Sequence, residues 1–164
     1  NDKHLYEKLL SLRNYGQKVR YVHEDFGMNS RLDEIQAGIL NVKLKYLEKW
    51  NTQRIQLAKK YLSLLNSDML LKTETYGKHV YHLFVIKSKN RNALIEELAA
   101  QNIQTLIHYP IPIHKQKPMG YLQKFSYTES EKFTDEILSI PLYRGLTEQN
   151  IERIADVINK IENQ

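Results

Sequence analysis

The chain has 164 residues, with 24 Lys and Arg against 19 Asp and Glu for a net charge of +5, and no cysteine. This length can bury a real core, with one domain as the default, while the missing cysteines exclude disulfides and thiolate chemistry and leave any zinc site to histidines and carboxylates. Without cysteines, a reducing cytoplasm is the expected location; no stretch approaches a membrane span, and no signal peptide is read at the start of the sequence.

Asp2 to about Asn14 predicts a short helix with Leu5, Leu9, Leu10 and Leu12 on its apolar side, stopped at Tyr15-Gly16-Gln17. Because it begins at once, without an initiator methionine, the chain is expected to be a piece of something longer. Lys18 to Phe26 alternates weakly and predicts an extended connection. At Gly27-Met28-Asn29-Ser30-Arg31 a glycine turn delivers polar groups ahead of a long amphipathic pattern. Leu32, Ile35, Ile39, Val42 and Tyr46 alternate by three and four, which keeps one stripe on one helical face. Asn29 or Ser30 is the expected cap, and Asp33 and Glu34 suit the positive end of the dipole. With no turn signal before Asn66-Ser67-Asp68, the pattern predicts one helix of about 34 residues, roughly 50 Å long. A domain of this size has a radius of gyration of about 15 Å, so such a helix would bridge to a second body.

Met69 to Thr75 predicts a strand, and His79 to Lys87 a better one, rich in β-branched and aromatic residues. Asn92 to Gln101 predicts a helix with Leu94, Ile95 and Leu98 inward, and Ile103 to Ile107 a further strand. His108 to Pro118 carries three prolines and cannot lie inside a sheet. Gly120 to Phe125 is short and aromatic, and Ser130 to Leu138 predicts a helix. Ser139 to Tyr143 reads as extended, and Thr147 to Glu162 as a closing helix whose inner face is Ile151, Ile154, Ile158 and Ile161. The expected fold is α+β: a small antiparallel or mixed sheet covered by helices and preceded by the bridging helix. The expected division is 1–65 for the first helix, turn and bridge, and 66–164 for a small C-terminal domain.

Two segments could carry chemistry. Arg31 offers a planar fork of donors suited to phosphate or carboxylate, beside Asn29. In His108-Tyr109-Pro110-Ile111-Pro112-Ile113-His114, alternate prolines stiffen the chain and hold two imidazoles and a phenol at a strand exit. These histidines could equally be backbone partners or acid/base groups. His79 and His82 fall on opposite strand faces, so no metal is expected, and His82 is expected in a core or site wall. The basic residues Lys43, Lys45, Lys49, Lys59 and Lys60 are interspersed with Glu48 and apolar positions. That describes a solvated helix face, and no nucleic-acid partner is expected. Phosphate-loop, dinucleotide, nucleophile-elbow and zinc-helix motifs do not occur.

Gly27 to Ala37, Leu44 to Arg54 with Ala58 and Tyr61, His79 to Ile86, Ile107 to His114, and Ser139 to Tyr143 with Leu146, Thr147 and Ile151 together resemble the DegT/DnrJ/StrS family, in the family's order and over nearly the whole chain. The resemblance implies pyridoxal-phosphate-dependent, fold-type I aminotransferases. Such enzymes act as homodimers on nucleotide-linked keto-sugars with an amino-acid donor, and feed polysaccharide or surface-glycan synthesis. The His-Tyr-Pro-x-Pro-x-His form looks most like the branch making 3-amino-3,6-dideoxyhexoses on thymidine diphosphate. It further implies that Asn29 donates to the cofactor phosphate in the partner subunit's site, with Arg31 nearby, and that His108, Tyr109 and His114 line the sugar-nucleotide side. Met28 stands where the family commonly has an aromatic. No lysine here sits in the family's Schiff-base context, so these residues alone are expected to lack transaminase activity and to hold no cofactor. The alternative is a non-catalytic dimerisation or ligand-binding module.

Overall fold

A computed structural model describes residues 1–73, 76–122 and 124–162. These form two compact units, 1–47 and 48–164, which divide within the predicted bridging stretch rather than after Leu65.

In the first unit, helix α1 (Lys3–Leu12) is capped by Asp2, whose side chain accepts from the Leu5 amide at 3.0 Å. The extended connection expected after it is a tight hairpin, β1 (Gln17–Val19) against β2 (Val22–His23), turned through Tyr21 at φ 69°. Helix α2 (Glu34–Leu44) follows.

The single 34-residue helix is not formed. Helix α2 ends at Leu44 and α3 (Leu47–Leu64) begins after a turn at Lys45 and Tyr46. There the Tyr46 amide donates to the Lys43 carbonyl at 3.0 Å, three residues back. A stripe spaced three and four reports side-chain direction and does not distinguish such a tightened turn from a continuous α-helix. None of α2 is buried: Ile35, Ile39 and Val42 all stay exposed, as does Leu32 just ahead of it.

The second unit holds the core. Strand β3 (Phe84–Lys87) pairs antiparallel with β4 (Ile137–Ile140), with Phe84 opposite Ile140 and Ile86 opposite Leu138. Single bridges extend the sheet on either side, Leu70 to Ile86 and Leu106 to Ser139. Alternation along each strand sends Phe84, Ile86, Leu138 and Ile140 to one face, where they join Leu94 and Leu98 of α4 (Arg91–Ala100), Ala58 and Tyr61 of α3, and Ile151, Ile154, Ala155 and Ile158 of α6 (Glu148–Glu162). The α6 spacing of three, four and seven makes this burial possible. Tyr61, fully buried, donates from its hydroxyl to the Pro141 carbonyl at 3.0 Å. Burial also pushes its phenol pKa upward.

The fold is α+β, as expected, but the strands are shorter. Of the strand predicted at Met69–Thr75, Met69 instead ends a 3-10 turn (Ser67–Met69) and Leu70 makes one bridge; positions 74 and 75 of that prediction lie outside the described residues. Regular pairing in the second predicted strand begins only at Phe84, and Ile103 to Ile107 contributes one bridge at Leu106. The helix predicted at Ser130–Leu138 is α5 (Thr128–Glu136), which hands over directly to β4. β propensity marks residues that fit a half-buried pleat and does not supply the partner that completes a ladder.

Candidate functional site

In the first unit, the Gly27–Arg31 loop is fastened to the end of α1. The Met28 amide donates to the Leu12 carbonyl at 2.8 Å, the Tyr15 amide to the Met28 carbonyl at 3.1 Å, and the Ser30 amide to the Arg13 carbonyl at 2.9 Å. Asn29 bridges Asn14 in antiparallel fashion, and Arg13 Nε donates to the Ser30 carbonyl at 3.2 Å. This contact leaves no room for side chains at two glycines. A Cβ on Gly27 would lie 2.2 Å from the Gly16 nitrogen and 2.6 Å from the Leu12 oxygen. Gly16, at φ +72°, would place one 1.8 Å from the Asp25 oxygen.

Neither Asn29 nor Ser30 caps α2, contrary to expectation. Asp33 takes that place in extended conformation, and Gln36 Oε1 accepts from its amide at 3.3 Å. An N-cap must adjoin the first helical residue, and the loop holds Asn29 several positions too early. Asn29 is exposed and its side-chain oxygen accepts from Arg31 Nε at 3.0 Å. With the oxygen so occupied, the two Nδ2 protons remain available as donors. An amide donor group beside a guanidinium fits the oxygens of a phosphate.

In the second unit, the proline segment separates its histidines. His108, part-buried, meets Ser139 Oγ through Nδ1 at 2.9 Å and borders a groove of about 930 Å³ whose lining includes Tyr143, Asn150 and Arg153. Tyr109 is exposed and stands edge-on to the His108 ring. His114 is buried, only 6% exposed. Its Nε2 meets Glu131 Oε1 at 3.0 Å, Lys115 holds Glu131 Oε2 at 2.7 Å, and its ring lies 4.7 Å from that of Tyr127. Hydrogen bonding from Lys115 and then from His114 holds the Glu131 carboxyl below its ordinary range. The 3-10 turn Ile113–Lys115 brings both side chains to Glu131 of α5, so the pair pins the proline segment to that helix.

Several contributors are not legible in the residue pattern. Arg54 donates to the carbonyls of His82 and Leu142, at 3.4 and 3.3 Å. Ser139 carried one available signal, a hydroxyl inside the apolar run Ile137 to Ile140. His82 is exposed, not part of a core or wall, because the regular strand starts two residues later. Among the described residues, no three His, Asp or Glu side chains gather to hold a metal, and no helix is long and apolar enough to cross a membrane.

The chain belongs to the DegT/DnrJ/EryC1/StrS aminotransferase family, which it matches over residues 1–159. It is 44% identical over 162 residues to dTDP-3-amino-3,6-dideoxy-α-D-galactopyranose transaminase of Aneurinibacillus thermoaerophilus, covering 98% of this chain and 45% of that protein. The crystal structure of Streptomyces venezuelae DesV in complex with a ketimine intermediate superposes with a TM-score of 0.85 at 35% identity, over 99% of this chain and 45% of that one. Bacillus subtilis NtdA, solved with bound cofactor PMP, gives a TM-score of 0.83 at 28% identity over 99% and 40%. The chain thus spans less than half the length of these relatives.

Proposed function

We propose that this sequence is the C-terminal part of a pyridoxal-phosphate-dependent aminotransferase that converts a dTDP-linked keto-deoxysugar to an aminosugar for polysaccharide or surface-glycan synthesis. Residues 1–47 serve as the piece that reaches a partner subunit, and 66–164, with α3 packed into the same core, as the small C-terminal domain of a cytoplasmic homodimer. The observation that carries the reading is the Arg31–Asn29 bond, which leaves an amide donor and a cation together on an exposed loop. The identity of the Aneurinibacillus relative supports the choice of sugar nucleotide.

Bound pyridoxal phosphate supplies the electron sink that lets an amino group pass from an amino-acid donor to a ketone. The residues here place and hold. Asn29 Nδ2 donates to a phosphate oxygen of the cofactor in the partner's site, and Arg31 orients Asn29 while adding positive charge. His108 and Tyr109 contact the sugar nucleotide. His114, buried against Glu131, supports that segment from behind. The residues by themselves supply no Schiff-base lysine and hold no cofactor.

The test is an assay of the protein carrying this sequence with cofactor, an amino-acid donor and dTDP-linked keto-sugars, read by mass spectrometry. A sugar amine is expected, with weaker cofactor retention in Asn29→Ala. Cofactor binding without amination of any nucleotide-linked ketone overturns the substrate; retention unchanged in Asn29→Ala removes that residue from the site.

A further inference from the structure

Ser139 is the polar member of Ile137-Leu138-Ser139-Ile140 and is only 6% exposed. Sheet pairing does not require its side chain. Its amide donates to the Leu106 carbonyl at 2.8 Å, and its carbonyl accepts from the Leu106 amide at 3.2 Å. The hydroxyl is left to act on something else, and 2.9 Å away stands Nδ1 of His108.

The direction of this bond follows from proton accounting. Among the described residues, Nδ1 of His108 is the partner of Ser139 Oγ. Were Nδ1 the donor, the hydroxyl proton would be left unpaired in a buried place, which native structures avoid. With the hydroxyl donating, both groups are paired, and Nδ1 must carry no proton. A neutral His108 then carries its proton on Nε2. Among the described residues Nε2 has no protein partner, and the ring borders the groove shared with Tyr143, Asn150 and Arg153.

We infer that Ser139 is a positioning residue that locks His108 as the Nε2–H tautomer, so that the ring offers a sugar-nucleotide oxygen a hydrogen-bond donor and not a base. The ligand half deepens the proposed role of His108 and rests on it; the tautomer half rests on the Ser139 geometry alone. The same logic gives a role to a hydroxyl in a strand whose neighbours are apolar. An alanine there would leave the imidazole free to rotate and to exchange tautomers.

Nitrogen NMR of the protein carrying this sequence, labelled with ¹⁵N-histidine, reads the tautomer directly. Wild type is expected to show His108 protonated on Nε2 when neutral. Ser139→Ala should relax this to a mixture, and Ser139→Thr, which keeps the hydroxyl, should restore it. In turnover, Ser139→Ala should raise KM for the sugar nucleotide by roughly tenfold, the scale of one net hydrogen bond, with kcat changed less. A wild-type His108 protonated on Nδ1 overturns the inference without need of any variant, as does an unaltered tautomer in Ser139→Ala. The expected tautomers with an unchanged KM overturn the ligand half only, and this is distinct from failure of the aminotransferase reading, in which no sugar amine forms.

Discussion

Arg31 Nε donates to Asn29 Oδ1 at 3.0 Å, and this bond decides which end of the Asn29 carboxamide faces outward. Oxygen and nitrogen ends are told apart by their partners; here the guanidinium claims the oxygen. In the holoenzyme, Asn29→Ala should therefore weaken cofactor retention by about 1–3 kcal/mol, the value of a bond to a charged group. Asn29→Asp should lose more, since it replaces a donor by a negative acceptor facing phosphate. Equilibrium dialysis of the cofactor against wild type and both variants measures the order.

Gly27→Ala should destabilise the first unit, because the added methyl group meets backbone atoms at 2.2 and 2.6 Å that cannot swing aside. Overpacking of this kind costs about 1–3 kcal/mol. Gly38, inside α2, is the control, since a methyl group added there would meet nothing within 4 Å. Gly38→Ala should stabilise by up to about 1 kcal/mol through helix propensity. Denaturant melts of the two variants should move in opposite directions.

Glu131 carries a pH dependence with a definite sign. Its folded-state pKa lies below the ordinary 4.5 because Lys115, and then His114, hold the carboxylate. The pair's contribution is therefore present above about pH 4.5 and is lost as pH falls through the lower folded-state value. Glu131→Gln should lower Tm at neutral pH, and the gap to wild type should close on acidification. A gap that stays constant down to acid pH would show that the carboxylate does not hold the proline segment.

Tyr61→Phe removes a hydroxyl that satisfies the Pro141 carbonyl at 3.0 Å. The loss should be about 0.5–1.5 kcal/mol, the net value of one hydrogen bond, since Pro141 is only half-buried. Leu98→Ala, at a fully buried core position, should cost about 2–5 kcal/mol. Urea titrations should rank Leu98→Ala as the more damaging.

What the sequence settled by itself is whatever local spacing encodes. The α6 isoleucines recur every three to four residues and do face the core, and Leu94 and Leu98 lie one turn apart on α4. The cluster of glycine, asparagine and arginine ahead of α2 was visible as an unusual polar turn, and the combined motifs indicated the family. Pattern could not show that Lys45 and Tyr46 interrupt the helical stripe, because the same side-chain spacing survives a turn of tighter hydrogen bonding. Nor could it show that Asp33, and not Asn29 or Ser30, caps α2. Only the tertiary structure separated His108 from His114. Both sit on one proline-stiffened segment, but their environments come from residues 31 and 17 positions away, Ser139 and Glu131. A histidine's role depends on what its two nitrogens touch, and that is a property of the folded neighbourhood, absent from the chain's local order.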